Sequence, residues 1–501
     1  MEYSSLALSI FSILLLGSLW KFISAWQRRH LPFPPGPPPY PLIGNVRDFP
    51  KKLPWVTYAN WGIQYGSDLV HASALGHHIV IVNSVKAAVE LFEKRSHLYA
   101  DRPVVAMIEL MGWDFNAGTL RLGNKWREHR RMFQQHFRQE ACRNYRPIQM
   151  KSVHQLLQRL LADPHEFREH IKTQATHYLL LLEADNLIPP AEHAAQKLAE
   201  SVLPGAFAVN VFPILRYIPS WMPGGGFHRF AAEVRQLTEE MREVPFNFVR
   251  QNMREGLDSK SMVARLLEEN QAGGFHNEAI VKDVAATAYA AGADTLWLHF
   301  FLAMAIHPEV QKKAQIEIDT VIGTHRLPDF EDRPSLPYIE AVYREVMRWK
   351  PVVPLGLAHA NTTDDIYNGY FIPKGATVIS NIWAMTRDES IYPESERFNP
   401  DRFFTADGKL NGDDTILAFG FGRRICVGRY NADASVWATI VSVLSTFNIV
   451  KAKDAAGNEI DIAGNYSDGL ISHPLPFPCS IIPRSETARS LVQSTTETDD
   501  W

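Results

Sequence analysis

The sequence predicts a mainly α-helical protein with small β-sheets, folded as one large domain behind a single N-terminal transmembrane helix. Three observations carry this. Glycine and proline are sparse between residues 80 and 200, and helical patterns dominate there, over 275–320 and over 335–350. Strand-like residues come only in short runs, such as Ile79–Val82 and the turn-rich Asp365–Ser380. Between Pro41 and Ser485 no second linker interrupts the chain.

The apolar opening supports the membrane helix. Tyr3 to Trp26 spans 24 residues, interrupted only by Lys21. That length crosses a hydrocarbon core of roughly 30 Å with some tilt. The positive pair Arg28 and Arg29 follows the run, and only Glu2 precedes it, which argues against a cleaved signal peptide. It also puts the remainder of the chain in the cytosol. Leu31–Pro41 then holds seven prolines and one glycine in eleven residues. Such a segment cannot continue a helix and reads as a stiff spacer. The divisions expected are 1–27 as membrane anchor, 28–41 as proline-rich hinge, 42–485 as the catalytic domain and 486–501 as a polar, frayed tail.

Composition excludes several classes. Of 501 residues 46% are hydrophobic and 21% charged, which suits a folded core and not a disordered chain. Lys plus Arg is 51 against 55 for Asp plus Glu, a formal charge of −4, without the basic excess of a nucleic-acid binder. The only cysteines are Cys142, Cys426 and Cys479, with no C-x-x-C, so neither a disulfide scaffold nor a cysteine zinc site is expected. His165 and His170 in HEFREH are five apart and do not share a helical face as zinc-protease histidines do.

The chemistry concentrates in Phe419–Gly428, FGFGRRICVG. A cysteine lies between glycine-containing turns with Arg424 just before it. Glycines allow close backbone approach to a flat ligand, arginine suits that ligand's carboxylates, and N–H groups of a tight loop can tune a thiolate as a metal ligand. This stretch resembles the haem-binding signature of the cytochromes P450, with Phe419, Gly422, Arg424, Cys426 and Gly428 at the matching positions. Further segments follow the family's order. Glu345–Arg348 matches E-x-x-R, Phe398–Phe403 resembles F-x-P-E-R-F with Asp401 in place of Glu, and Ala291–Thr295 resembles the oxygen-binding A-G-x-D-T. The C-terminal ISHPLPFPCSIIPRS looks like the fungal microsomal enzymes of secondary metabolism.

The resemblance implies a cytochrome P450 fold carrying haem b, iron protoporphyrin IX. It implies Cys426 as the iron ligand, a thiolate that favours O–O cleavage. Asp294 and Thr295 would handle protons. Trp126 and Arg130, four apart on one helical face, would hold propionates together with Arg424 and His359. Glu345, Arg348 and Arg402 would form a buried charge cluster bracing the cysteine pocket. The partners implied are an NADPH–cytochrome P450 reductase, a hydrophobic small-molecule substrate (terpenoid, polyketide or alkaloid) and membrane lipid. The place implied is the endoplasmic reticulum membrane, single-pass. The basic stretch Lys125–Arg143 would face the reductase, with a plain solvated surface as the alternative. The apolar Leu203–Gly226 would dip into the membrane, with core packing as the alternative. A P450-fold isomerase or dehydratase without oxygen insertion, and a catalytically silent haem-binding protein, are the competing functions.

The sequence departs from the pattern after Thr295. Only Leu296–His299 intervene before Phe300, about three residues short, which would shorten a helix by roughly 4.5 Å. The expectation is an irregular helix between Ala291 and Phe301, or a transcript encoding the missing residues. The stretch 176–206 also looks compressed.

Overall fold

The computed structural model describes residues 31–180, 188–202, 206–256, 261–271, 278–292 and 296–496. The expected membrane helix lies outside the described residues, as do Asp294 and Thr295.

The proline-rich segment is not a free spacer where it is described. It runs along the edge of the domain, with Pro35 O accepting from His71 N at 3.0 Å and Pro32 O from Phe371 N at 2.9 Å. Phe33 stacks on His71 with ring centroids 4.5 Å apart. Gly36 permits this contact, because a Cβ there would stand 1.9 Å from the His71 carbonyl oxygen.

Helix α1 (Pro54–Tyr65) begins on a proline, whose missing N–H costs nothing in the first turn, and ends at Gly66 in the left-handed region. Strands β1 (Leu69–Ala74) and β2 (His77–Val82) form an antiparallel hairpin. Its two-residue loop, Leu75 and Gly76, has positive φ at both positions, the turn whose twist matches the flanking strands. Four short strands follow much later: β3 (His359–Ala360), β4 (Asp365–Tyr367), β5 (Tyr370–Ile372) and β6 (Thr377–Ser380). The main sheet has the order β1-β2-β6-β3, with β6 parallel to β2. β4 and β5 pair with each other, as do β7 (Phe447–Lys451) and β8 (Cys479–Pro483).

The longer helices are α2 (Asn124–Phe137), α3 (Arg146–Ala162), α4 (Phe167–Leu180), α5 (Ile188–Ser201), α6 (Phe227–Arg254), α7 (Met262–Gln271), α8 (Glu278–Gly292), α9 (Leu296–Ile306), α10 (Pro308–Val321), α11 (Pro337–Trp349), α12 (Arg429–Thr446) and α13 (Glu486–Ser494). The predicted basic helix to Arg143 is broken at Arg138, whose backbone is extended, so α2 stops at Phe137. Every residue from Trp297 to Ala305 is buried. Apart from the buried His299, α9 is apolar on all sides, so most rotational settings would bury it well. Within the expected irregular stretch Ala291–Phe301 the described residues are regular helix, α8 to Gly292 and α9 from Leu296, so no irregularity is found there; residues 293–295 lie outside the described ones.

Two expectations change. The tail is not frayed throughout: α13 is capped by the Ser485 side chain and buries Ala488 and Val492, one turn apart, the latter in the main core. The described part of 203–226 divides: Val209 is buried in the second core with Phe207 and Leu215 packed against it, whereas Ile214, Tyr217 and Trp221 are 70%, 76% and 81% exposed.

Apolar burial falls into separate cores. One gathers α3, α9, α11 and α12, and a second gathers α2, α6, α7 and α8. A third joins the sheet to the helical turns of 85–99. The cysteine loop lies where they meet: Ala418 and Phe419 pack on the first, Val427 and Tyr430 on the second, and Phe421 is part of the third. Close-packed interiors deform reluctantly, so a loop held by three of them is held well.

Candidate active site

The cysteine loop runs through two short 3-10 turns, Ile416–Phe419 and Gly422–Arg424, into the start of α12. Cys426 N donates to Phe419 O at 2.9 Å, closing the loop on itself. Gly422 has φ +52°, and a Cβ there would stand 2.0 Å from Phe92 O. Only glycine allows this approach of the loop to the helical turn Val89–Lys94. Phe92 stacks on Phe421 at 5.9 Å and touches His359 at 4.4 Å, which ties the loop to β3.

The Cys426 side chain is accessible, although the sulfur lies deep among protein atoms. That is the condition of an atom lining an internal cleft. Burial pushes its thiol up, opposed by the Gly428 N–H and by the nearby charges of Arg130 and Arg429. Cys142 and Cys479 are instead buried core thiols, each pushed up to about 12 by desolvation.

The expected ligand-holding residues converge on this loop. The Arg424 guanidinium lies 4.3 Å from the centre of the Trp126 ring, a cation–π stack. Arg424 Nε donates to Ala100 O at 2.7 Å, but its buried Nη1 and Nη2 have no hydrogen-bond partner among the described residues. Arg130 Nη1 donates to Ile425 O at 2.6 Å, so this arginine grips the loop itself. His359 is buried, with Nδ1 2.7 Å from Tyr99 O.

The cluster carries too much positive charge. Arg102, missed in the sequence, is buried beside Arg424 and donates to Gly118 O, Leu357 O and Ala358 O at 2.6–2.8 Å. Burial and the Arg424 charge bring the Arg102 guanidinium down to about 9. Burial and the charge of Arg130 bring Arg424 down to about 10 in spite of Asp101. Burial, Arg102 and Arg424 hold His359 well below its usual range. The nearby carboxylate, Asp101, is already taken by Arg121 at 2.5 Å and Leu122 N at 2.8 Å. A site of mutually repelling cations with unfilled donors is one that a polyanionic ligand completes. A flat dicarboxylate carrying a metal would fit the charge, the unfilled donors and the accessible sulfur.

Arg429 is the second residue missed. Its Nη1 donates to Cys426 O at 3.2 Å and its Nη2 to Tyr430 Oη at 3.0 Å. No single-sequence signal separates either arginine from a solvated one.

The predicted charge cluster forms on α11. Arg348 donates through Nε and Nη2 to the two Glu345 oxygens at 2.7 and 2.8 Å, and both side chains are fully buried. Arg402 Nε and Asn399 N also donate to Glu345, at 3.2 and 2.8 Å. Phe419 and Gly428 frame the loop, and a Cβ at Gly428 would stand 4.0 Å from the sulfur.

Comparison with known proteins agrees with this geometry. Residues 34–477 match the family model described as Cytochrome P450. A cytochrome P450 monooxygenase of Armillaria gallica is 40% identical over 98% of this chain and 99% of its own length. Another from Postia placenta is 41% identical, covering 97% of each chain. The tryptamine 4-monooxygenase of Psilocybe cyanescens is 36% identical over 95% of this chain and 97% of its own.

Proposed function

The chain belongs to the cytochrome P450 family and is a haem monooxygenase, and from that premise we propose that Cys426 is the thiolate ligand of its iron. Arg424, Arg130, Trp126 and His359 hold the propionates from the cationic side of the cleft. The observation that carries this is the pair of buried, unpartnered Arg424 nitrogens beside an accessible cysteine. When bound, the haem supplies activation of O₂ and transfer of one oxygen atom to the substrate.

The protein residues do the rest. The Gly428 N–H faces the sulfur and steadies its negative charge. Glu345, Arg348 and Arg402 brace the segment leading into the loop. Asp294 and Thr295 are the proton-handling pair of the α8–α9 region. The substrate is a hydrophobic small molecule of fungal secondary metabolism, and oxygen insertion is favoured over isomerisation or a silent role because the relatives are monooxygenases by name.

Electrons come from an NADPH–cytochrome P450 reductase. The exposed basic residues of α2, Lys125, Arg127 and Arg131, suit an acidic partner. The enzyme sits on the endoplasmic reticulum membrane with its catalytic domain in the cytosol. In that setting the exposed Ile214, Tyr217 and Trp221 enter the headgroup region, where such side chains partition well.

The test is the carbon monoxide difference spectrum of the reduced protein. The wild type shows the strongly red-shifted Soret band of thiolate ligation. Cys426→Ser loses it, whereas Cys142→Ser and Cys479→Ser keep it. A Cys426→Ser protein that retained the band would overturn the assignment.

A further inference from the structure

The peptide units on both sides of Cys426 are held by cations. Arg130, reaching from α2, donates to the carbonyl of Ile425 at 2.6 Å. Arg429, from the first turn of α12, donates to the carbonyl of Cys426 itself at 3.2 Å. The Arg429 guanidinium is fixed by the Tyr430 hydroxyl at 3.0 Å and lies 4.3 Å from the centre of that ring. Among the described residues neither arginine forms a salt bridge with a carboxylate. Their guanidiniums sit instead on the carbonyls that flank the sulfur, where a positive charge favours its anionic form.

We propose that Arg429 is a positioning residue for the thiolate, which together with Arg130 clamps the two carbonyls flanking Cys426 and sets the reduction potential of the bound iron. This rests on Cys426 being the iron ligand. A carbonyl left free can turn its negative end toward the sulfur; a cation bound to it draws that end away and adds a positive charge in a low-dielectric surrounding. The step concerned is the entry of one electron from the reductase, with the thiolate remaining bound and no proton moved. The reduced site carries one more negative charge, so a fixed cation favours it and raises the potential. Loss of Arg429 therefore leaves a stronger electron donor opposite the iron and a site that is harder to reduce.

The experiment is a redox titration of the ferric and ferrous forms of the purified haem protein, with the iron–sulfur stretch read by resonance Raman. Arg429→Met removes charge and donor, Arg429→Gln keeps a donor, and Arg429→Lys keeps the charge. At a fixed poise Arg429→Met is expected to hold about tenfold less ferrous protein than wild type, which for one electron is about 59 mV. Arg429→Gln falls between them and Arg429→Lys stays nearest wild type, with the iron–sulfur stretch rising in the same order as the potential falls. The exposed Arg423→Gln serves as the charge control. Arg429→Met matching wild type overturns the proposal, and so does Arg423→Gln shifting the potential equally. If Arg429→Met takes up no haem, Arg429→Gln and Arg429→Lys decide, and equal potentials in those two and wild type overturn it. Absence of the thiolate band from the wild type is a different failure, that of Cys426 as ligand.

Discussion

Arg348 is fully buried and Arg424 has both terminal nitrogens withdrawn from solvent, and they stand in opposite conditions. Arg348 spends Nε and Nη2 on Glu345, and Nη1 on Thr386 O at 2.8 Å. Arg424 fills one nitrogen of three and leaves two buried ones without a hydrogen-bond partner among the described residues. The first arginine shares its pocket with a carboxylate of its own; the second lies among Arg102, Arg130 and an Asp101 that Arg121 and Leu122 N already occupy. The difference separates a group that holds the protein together from a group that holds something else. A buried charge whose partners are all protein atoms belongs to the fold, whereas one left short of partners marks a ligand's place.

The largest break in this contrast comes from the satisfied side. Glu345→Ala leaves Arg348 and Arg402 buried without their common carboxylate, which costs roughly 3–5 kcal/mol. Chemical denaturation should register that loss, with haem uptake falling only as the folded fraction falls. A Glu345→Ala protein of wild-type stability would show that the cluster is not the brace its geometry describes.

Arg424→Met sharpens the other side. It removes a charge that the protein alone does not neutralise, so denaturation of haem-free protein should move by less than about 1 kcal/mol in either direction. Haem retention should suffer instead, because each lost charge-assisted hydrogen bond is worth about 1.5–3 kcal/mol. Transfer of haem to an apomyoglobin acceptor measures this directly. Unchanged transfer kinetics together with a destabilised apoprotein would reverse the roles given to Arg348 and Arg424.

The same contrast explains what could be read in the sequence. Glu345 and Arg348 were legible because three residues of helix bring them to one face, and the cysteine loop because five positions sit at fixed spacing. Trp126 and Arg130 were legible as a helical pair, although Arg130 turns out to bind the Ile425 carbonyl directly. Arg102 and Arg429 were not, since an arginine that caps carbonyls looks in one sequence like any solvated arginine. The docking of the proline-rich segment depends on His71 and Phe371, far along the chain, so no local pattern announces it. α13 escaped because it buries only Ala488 and Val492, too few apolar residues to outweigh a polar stretch. The exposed face at Ile214–Trp221 could not be told from core because apolar composition alone does not say what covers it.

Asp283 on α8 gives the smallest effect and the most discriminating one. It lies beside α2, the helix that carries Trp126 and Arg130, so proximity alone would count it part of the ligand site. Yet its carboxylate is fully engaged, by Arg242, by His129 Nε2 at 3.3 Å and by Lys125 Nζ at 3.7 Å. Burial works to raise its pKa, but the His129 hydrogen bond and the charges of Arg242 and Lys125 outweigh it and hold the carboxyl below the usual range. A carboxyl depressed in the folded state stabilises above its unfolded value, near 3.9, and loses that contribution as pH falls through the folded value. Asp283→Asn keeps an oxygen to accept from Arg242 but gives up the charge. It should therefore cost about 1–2 kcal/mol at pH 7, since Lys125 and Arg242 are partly solvated. The gap to wild type should close below about pH 4, as the native carboxyl takes up its proton. Denaturation curves from pH 3 to 7 check this. Being satisfied, Asp283 should leave the thiolate band and haem transfer of the folded variant unchanged. A shifted band or faster haem loss at wild-type stability would mean that nearness to α2, and not the filling of donors, decides which charges serve the ligand.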